Sequence, residues 1–166
     1  MDHIYHGCGT ENTCENIEQR KRIMAEGKMV KPVDPERRRL AILEKRYRNA
    51  ARTQIESRVA YFHQITGGAY TSVTIRDQKS RWGSCSSRGT LSFNYRLIFA
   101  PPVILDYVVV HELCHLTHMN HSRDFWDMVA SVMPEYKLHR TWLREHGHEL
   151  TLENHLIRLG IPVTLD

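Results

Sequence analysis

The chain has 166 residues, 41% hydrophobic and 25% charged, with a formal net charge of +4. That suffices for one domain with its own core and leaves little room for a second sizeable module. No apolar run approaches the roughly 20 residues that span a bilayer, and the four cysteines show no framework spacing, so neither a membrane protein nor a disulfide scaffold is expected.

Residues 1–33 are polar, mixed in charge and weakly periodic, and read as an irregular or loosely helical N-terminal extension. Cys8 and Cys14 lie there with a gap wider than zinc knuckles use, so they read as free thiols. The first residues lack the apolar middle and cleavage site of a secretory signal, which makes a cytoplasmic setting the expectation.

Residues 34–166 form the expected single domain. Asp34-Pro35 offers a helix start, and Leu40, Leu43, Tyr47, Ala51, Ile55, Val59 and Phe62 recur at helical spacing until Gly67-Gly68. A long amphipathic helix follows from that pattern. Basic residues concentrate from Arg20 to Arg58, with 13 Lys and Arg against 5 Asp and Glu. Such a stripe could track the phosphates of nucleic acid, or simply be a solvated helix face.

The period then changes. Val73 and Ile75 alternate with polar neighbours, the segment RWGSC follows a charged turn, and Leu91, Phe93 and Tyr95 alternate again after Arg88-Gly89. Three short strands in a small antiparallel sheet are expected, closed by Ala100-Pro101-Pro102 because paired prolines cannot continue a ladder. The strand from Leu91 to Leu97 could receive an extended peptide as an added strand. Asn94, Tyr95 and Arg96 are the candidate substrate-binding residues on it, Tyr95 and Arg96 also as oxyanion donors.

From Val103 to Leu116 the sequence is apolar almost all round, which describes a buried helix. Its Val-Val-Val run favours a strand, but the length of the run and His111-Glu112-Leu113-Cys114-His115 outweigh it. Two histidines four apart project from one helix face, so both imidazoles can reach one ion. Glu112 lies to their side, where a general base can meet water. Zinc suits such a site as a Lewis acid without redox chemistry.

A hydrolytic zinc keeps three protein ligands and one open position. His121 is the candidate third ligand, and since an unbroken helix would carry it about 15 Å beyond His111, the helix must end first. Asn120 in the left-handed conformation would make that turn, with Ser122 capping a new helix that stops before Pro134. His118 and Cys85 are the rival ligands. A further helix is expected from Pro134 to Gly147, then a short helical or extended tail.

The stretch SRWGSCSSRGTLSFNYRLIFAPPVILDYVVVHELCHLTHMNHSRDFW resembles the core of the YgjP-like zinc metallopeptidases, relatives of the SprT-like proteases and of the wider zincin group. The resemblance runs from about Leu40 to Trp142 and is carried by RWGSC, DYVVVHELCHL and NHSRDFW in that order. It implies an α+β zincin-like fold, zinc at His111, His115 and His121, and Glu112 as catalytic glutamate. The expected protein is a monomeric zinc endopeptidase acting on protein or peptide, with no membrane partner. The alternative is a zinc-stabilised nucleic-acid-binding module using the Arg20 to Arg58 stripe.

Overall fold

The computed structural model describes residues 34–163. The extension 1–33, with Cys8, Cys14 and the first part of the basic stripe, lies outside them. Helix α1 runs Pro35–Thr66, and only its second half is buried, through Ala51, Ile55, Val59 and Phe62. It stops at Gly67 and Gly68, whose φ angles of 67° and 85° are ones a side chain resists. Arg58 reaches from α1 to Asp106 with two bonds of 2.6 and 2.8 Å, which gives a polar residue in an apolar helix its partner.

Strands β1 (Ser72–Arg76), β2 (Gly83–Cys85) and β3 (Thr90–Asn94) form one sheet in the order β1-β3-β2. The sheet is mixed, not antiparallel: β1 pairs with β3 in parallel and β2 with β3 antiparallel. Alternation along a strand tells which residues face inward but not which neighbour it takes or in which direction. The most apolar strand took the centre, with Leu91 and Phe93 buried. Both edges of β3 are therefore paired, and it cannot take up a peptide as a further strand.

The third strand is also shorter than its alternation indicates. After Asn94 the chain enters a 3-10 turn over Tyr95–Phe99, and the Asn94 side chain accepts from the Arg96 N–H at 3.1 Å. Its amide donates to the carbonyls of Gln78 and Arg81 at 2.6 and 3.3 Å. A buried side-chain oxygen at a turn start outcompetes the ladder.

Helix α2 spans Pro102–Cys114, starts at the second of the paired prolines and buries residues on every side. Helical continuity therefore overrides the β preference of its valines, because the residues pack against α1 and the sheet from all directions. Helices α3 (Arg123–Val132), α4 (Tyr136–His146) and α5 (Leu152–Arg158) complete an α+β fold, in which α2 is the buried element. Leu91, Leu97, Val109, Val110 and Leu113 are wholly inaccessible, each contributing about 1.5–3 kcal/mol by burial. Among the described residues no helix is long and apolar enough to cross a membrane.

Candidate active site

His111, Glu112 and His115 come from the last turn of α2 and its cap. His115 ends the helix in ordinary helical geometry, at φ −66° and ψ −18°. The chain then turns back without the expected left-handed Asn120, since among the described residues only glycines have positive φ. Instead a turn over residues 115–117 and a bend at 119–120 reverse it with permitted backbone angles. Ser122 then accepts from the Phe125 N–H at 3.4 Å and starts α3. His121 sits just before that cap, returned toward α2.

One ring nitrogen from each of His111, His115 and His121 lies within 4.8 Å of the other two. The Nε2 atoms of His111 and His121 are 3.1 Å apart, close to the roughly 3.3 Å that two nitrogens bound at zinc distances keep on a tetrahedral ion. His115 holds its Nδ1 at 2.9 Å from the His118 carbonyl, so Nδ1 donates and Nε2 is the ring nitrogen left to face a metal. His118 thus enters through its backbone, and neither its ring nor Cys85 joins the cluster. The donor set fits one divalent ion with a position to spare.

Phe125, wholly buried, packs on all three imidazoles with centroids 4.5 to 4.9 Å away, stacked on His115 and edge-on to the others. Trp126 stacks on His121 at 5.5 Å. Helix α3 therefore positions His121 and also fixes the ring orientations, a role that spacing alone did not disclose.

Burial drives the proton affinities here. His111 is pushed down to about 3 by desolvation, then by His115, His121 and Arg140. His121 is lowered by the same kinds of cause, burial first. Both shifts favour the neutral imidazole, the form that binds metal. His111 Nδ1 is buried without a hydrogen-bond partner, a cost that folded proteins rarely carry away from functional sites. Glu112, 5% exposed, has its carboxyl raised to about 8 by burial, with Arg81 pulling the other way.

Strand β2 closes on Glu112. A β-carbon on Gly83 would stand 2.5 Å from Glu112 Oε1 and 2.7 Å from its Cγ, so only glycine lets the strand approach the carboxylate. Trp82, Gly83, Tyr107, Val108, His111, Glu112 and Leu143 line one cavity. Tyr107 lies one turn before His111 with its ring 6.0 Å away, and burial raises its phenol to about 12, so it stays a donor at neutral pH. Its spacing of four from His111 was a signal available in the sequence, masked by the apolar run around it.

Cys114 is buried in the core and its thiol is pushed up to about 12. Asn94, Tyr95 and Arg96 are not brought to this cavity. Asn94 braces the turn after β3. Tyr95, 3% exposed, lies under the Arg48 guanidinium at 4.5 Å, while Arg96 faces Asp77 at 3.0 Å. Tyr95 and Arg96 line a separate recess with Arg37, Glu44 and Leu152.

Among solved structures the chain is similar to the metallopeptidase zymogen of Pyrococcus abyssi abylysin, at 23% identity over 66% of this chain and 99% of that chain, with a TM-score of 0.45. It is also similar to the metallopeptidase zymogen of Methanocaldococcus jannaschii jannalysin, at 21% identity over 51% of this chain and 90% of that one, TM-score 0.45. A search of curated proteins returned no match. A family model described as YgjP-like, metallopeptidase domain, matches residues 6–146. That span takes in the RWGSC strand, His111, His115 and His121, and the chain belongs to the YgjP-like family of metallopeptidase domains.

Proposed function

We propose that the chain is a zinc-dependent endopeptidase in which His111, His115 and His121 hold the ion and Glu112 is the general base. The observation that carries this is the meeting of three imidazoles within 4.8 Å, with a buried carboxylate beside two of them in sequence. A zinc ion held there supplies a Lewis acid and lowers the pKa of water toward about 7. Glu112 takes a proton from water as its oxygen bonds to the peptide carbonyl carbon. It returns that proton to the amide nitrogen as the C–N bond breaks. A divalent cation held by the histidines would favour the ionised form of Glu112 against its burial. Tyr107 lines the same cavity, and its hydroxyl would donate to the carbonyl oxygen as it gains charge.

The substrate strand belongs on β2 and not on β3. The Trp82 carbonyl accepts from Asn94 N–H at 2.8 Å and the Ser86 N–H donates to Thr90 at 3.0 Å, so by alternation Gly83 and Cys85 turn their backbone groups away from β3. An extended peptide paired there would run beside Glu112. Glu112→Gln should retain bound zinc, measured by elemental analysis, and lose peptide hydrolysis; activity equal to wild type overturns the mechanism. A nucleic-acid module is less supported, because Arg39, Arg48, Arg52 and Arg58 of the stripe each pair with a carboxylate.

A further inference from the structure

Helix α4 presents Arg140 beside the histidines. Its side chain is exposed, and its guanidinium carbon lies 5.0 Å from the Trp126 ring centre. Trp126 stacks in turn on His121 at 5.5 Å and on Tyr136 at 5.1 Å, and lies 5.7 Å from His111. A single indole therefore separates the guanidinium from the imidazole cluster and holds it there by cation–π attraction. Its helix neighbours at three and four residues are Tyr136, Lys137, Leu143 and Arg144, none of them a carboxylate. Among the described residues no carboxylate pairs with it, whereas Arg58, Arg96, Arg123, Arg144 and Arg158 all have one.

Arg81 is a second exposed cation near the site. It directly precedes the cavity-lining Trp82 and Gly83, and among the described residues no carboxylate forms an ion pair with it, though its charge acts on Glu112. The only acid lining the cavity is Glu112. Arg140, held over the Trp126 ring that stacks on His121, sets a fixed positive charge beside imidazoles that are to hold a cation, which is unfavourable. An incoming negative group offsets that cost.

We propose that Arg140, supported by Arg81, reads a carboxylate on the substrate, so that peptides with an acidic group beside the scissile bond are preferred. This deepens the peptidase reading and rests on it. A carboxylate fits better than a phosphate backbone, because two separate guanidiniums, one over Trp126 and one adjacent in sequence to Trp82, lie near a cavity lined by Trp82 and Tyr107, whereas a nucleic acid is tracked by cations in a row. The carboxylate comes either from an Asp or Glu side chain or from a free C-terminus.

Zinc-loaded full-length protein, given matched peptides with Glu, Gln or Lys at each position around the cut, tests this. Each peptide is made with a free and with an amidated C-terminus. We expect kcat/KM about tenfold higher for the carboxylate-bearing peptide than for its neutral isostere, with the position or terminus identifying the source. The Glu-to-Gln ratio should fall to near one in Arg140→Gln, and the Lys peptide should become preferred in Arg140→Glu. A merely structural Arg140 would lower all rates and leave that ratio unchanged, which overturns the proposal, as does a ratio near one in the wild type. Should no peptide be cut, the peptidase reading fails, and Kd values of the same peptides for Glu112→Gln still decide whether the carboxylate is read. Single-stranded oligonucleotide that binds through Arg140 in place of the Glu peptide overturns it in favour of phosphate.

Discussion

The recess beside Tyr95 and the cavity beside His111 both gather aromatic rings and charged groups, but they settle their charges in opposite ways. In the recess, Asp77 is shared by Arg96 at 3.0 Å and Arg48 at 3.2 Å, and Arg48 also holds Glu44 at 2.6 Å. In the cavity, Glu112 is raised to about 8 by burial, with only the pull of Arg81 against it and no ion pair among the described residues. Satisfied charges hold a fold together at small net gain. Unsatisfied ones cost stability and persist where a ligand completes them.

The largest effect expected on this contrast is at the cluster itself. His121→Ala should drop the zinc-to-protein ratio and lower kcat/KM by more than the roughly 10–100-fold typical of losing an outer partner, while Cys85→Ala keeps the metal; elemental analysis beside a peptide assay reads both. Retained zinc in His121→Ala would erase the distinction between the two recesses. Next comes Gly83→Ala, which must push β2 off Glu112. A displacement of about 1 Å costs on the order of a hundredfold in rate, and unchanged circular dichroism would show that the fold is kept.

A pH experiment sharpens the comparison without any metal. Glu112 has a folded value near 8 against an ordinary 4.5, so the folded state binds more protons than the unfolded one between those values. Its contribution is therefore present at low pH and lost as pH rises toward 8. His111, held near 3, acts in the opposite direction, but only below its ordinary 6.5. Between pH 6.5 and 8 the metal-stripped protein should lose stability by at most about 1.4 kcal/mol per pH unit, read as a falling melting temperature. Glu112→Gln should flatten that slope, and a wild-type curve already flat would contradict the burial argument. The smallest effect lies in the recess: Asp77→Asn should cost no more than about 1 kcal/mol and leave kcat/KM unchanged, since its carboxylate is partly solvated.

Much of this contrast was legible before the fold. The approach of His111 and His115 needs only the helical repeat, and α1 is marked at both ends by Pro35 and by Gly67-Gly68. Ser122 was readable as a cap because capping is chemistry among residues three apart. The return of His121 was expected for one reason and achieved by another, since several allowed backbone paths give the same reversal and Asn120 did not need a strained one. Tyr95 misled because strand-like alternation continues past the point where Asn94 caps a turn.

What the sequence by itself determined is what one helix or one turn encodes: the spacing of His111, Glu112 and His115, the caps around them, and the apolar run that buries them. Those are contacts between residues a few positions apart, governed by backbone geometry. Only the tertiary structure decided that β3 is central, that Gly83 faces Glu112, that Phe125 packs against three imidazoles and that Arg140 lies over Trp126. Such meetings join distant segments, and the collective burial of apolar surface that selects them leaves no periodic mark on any single segment.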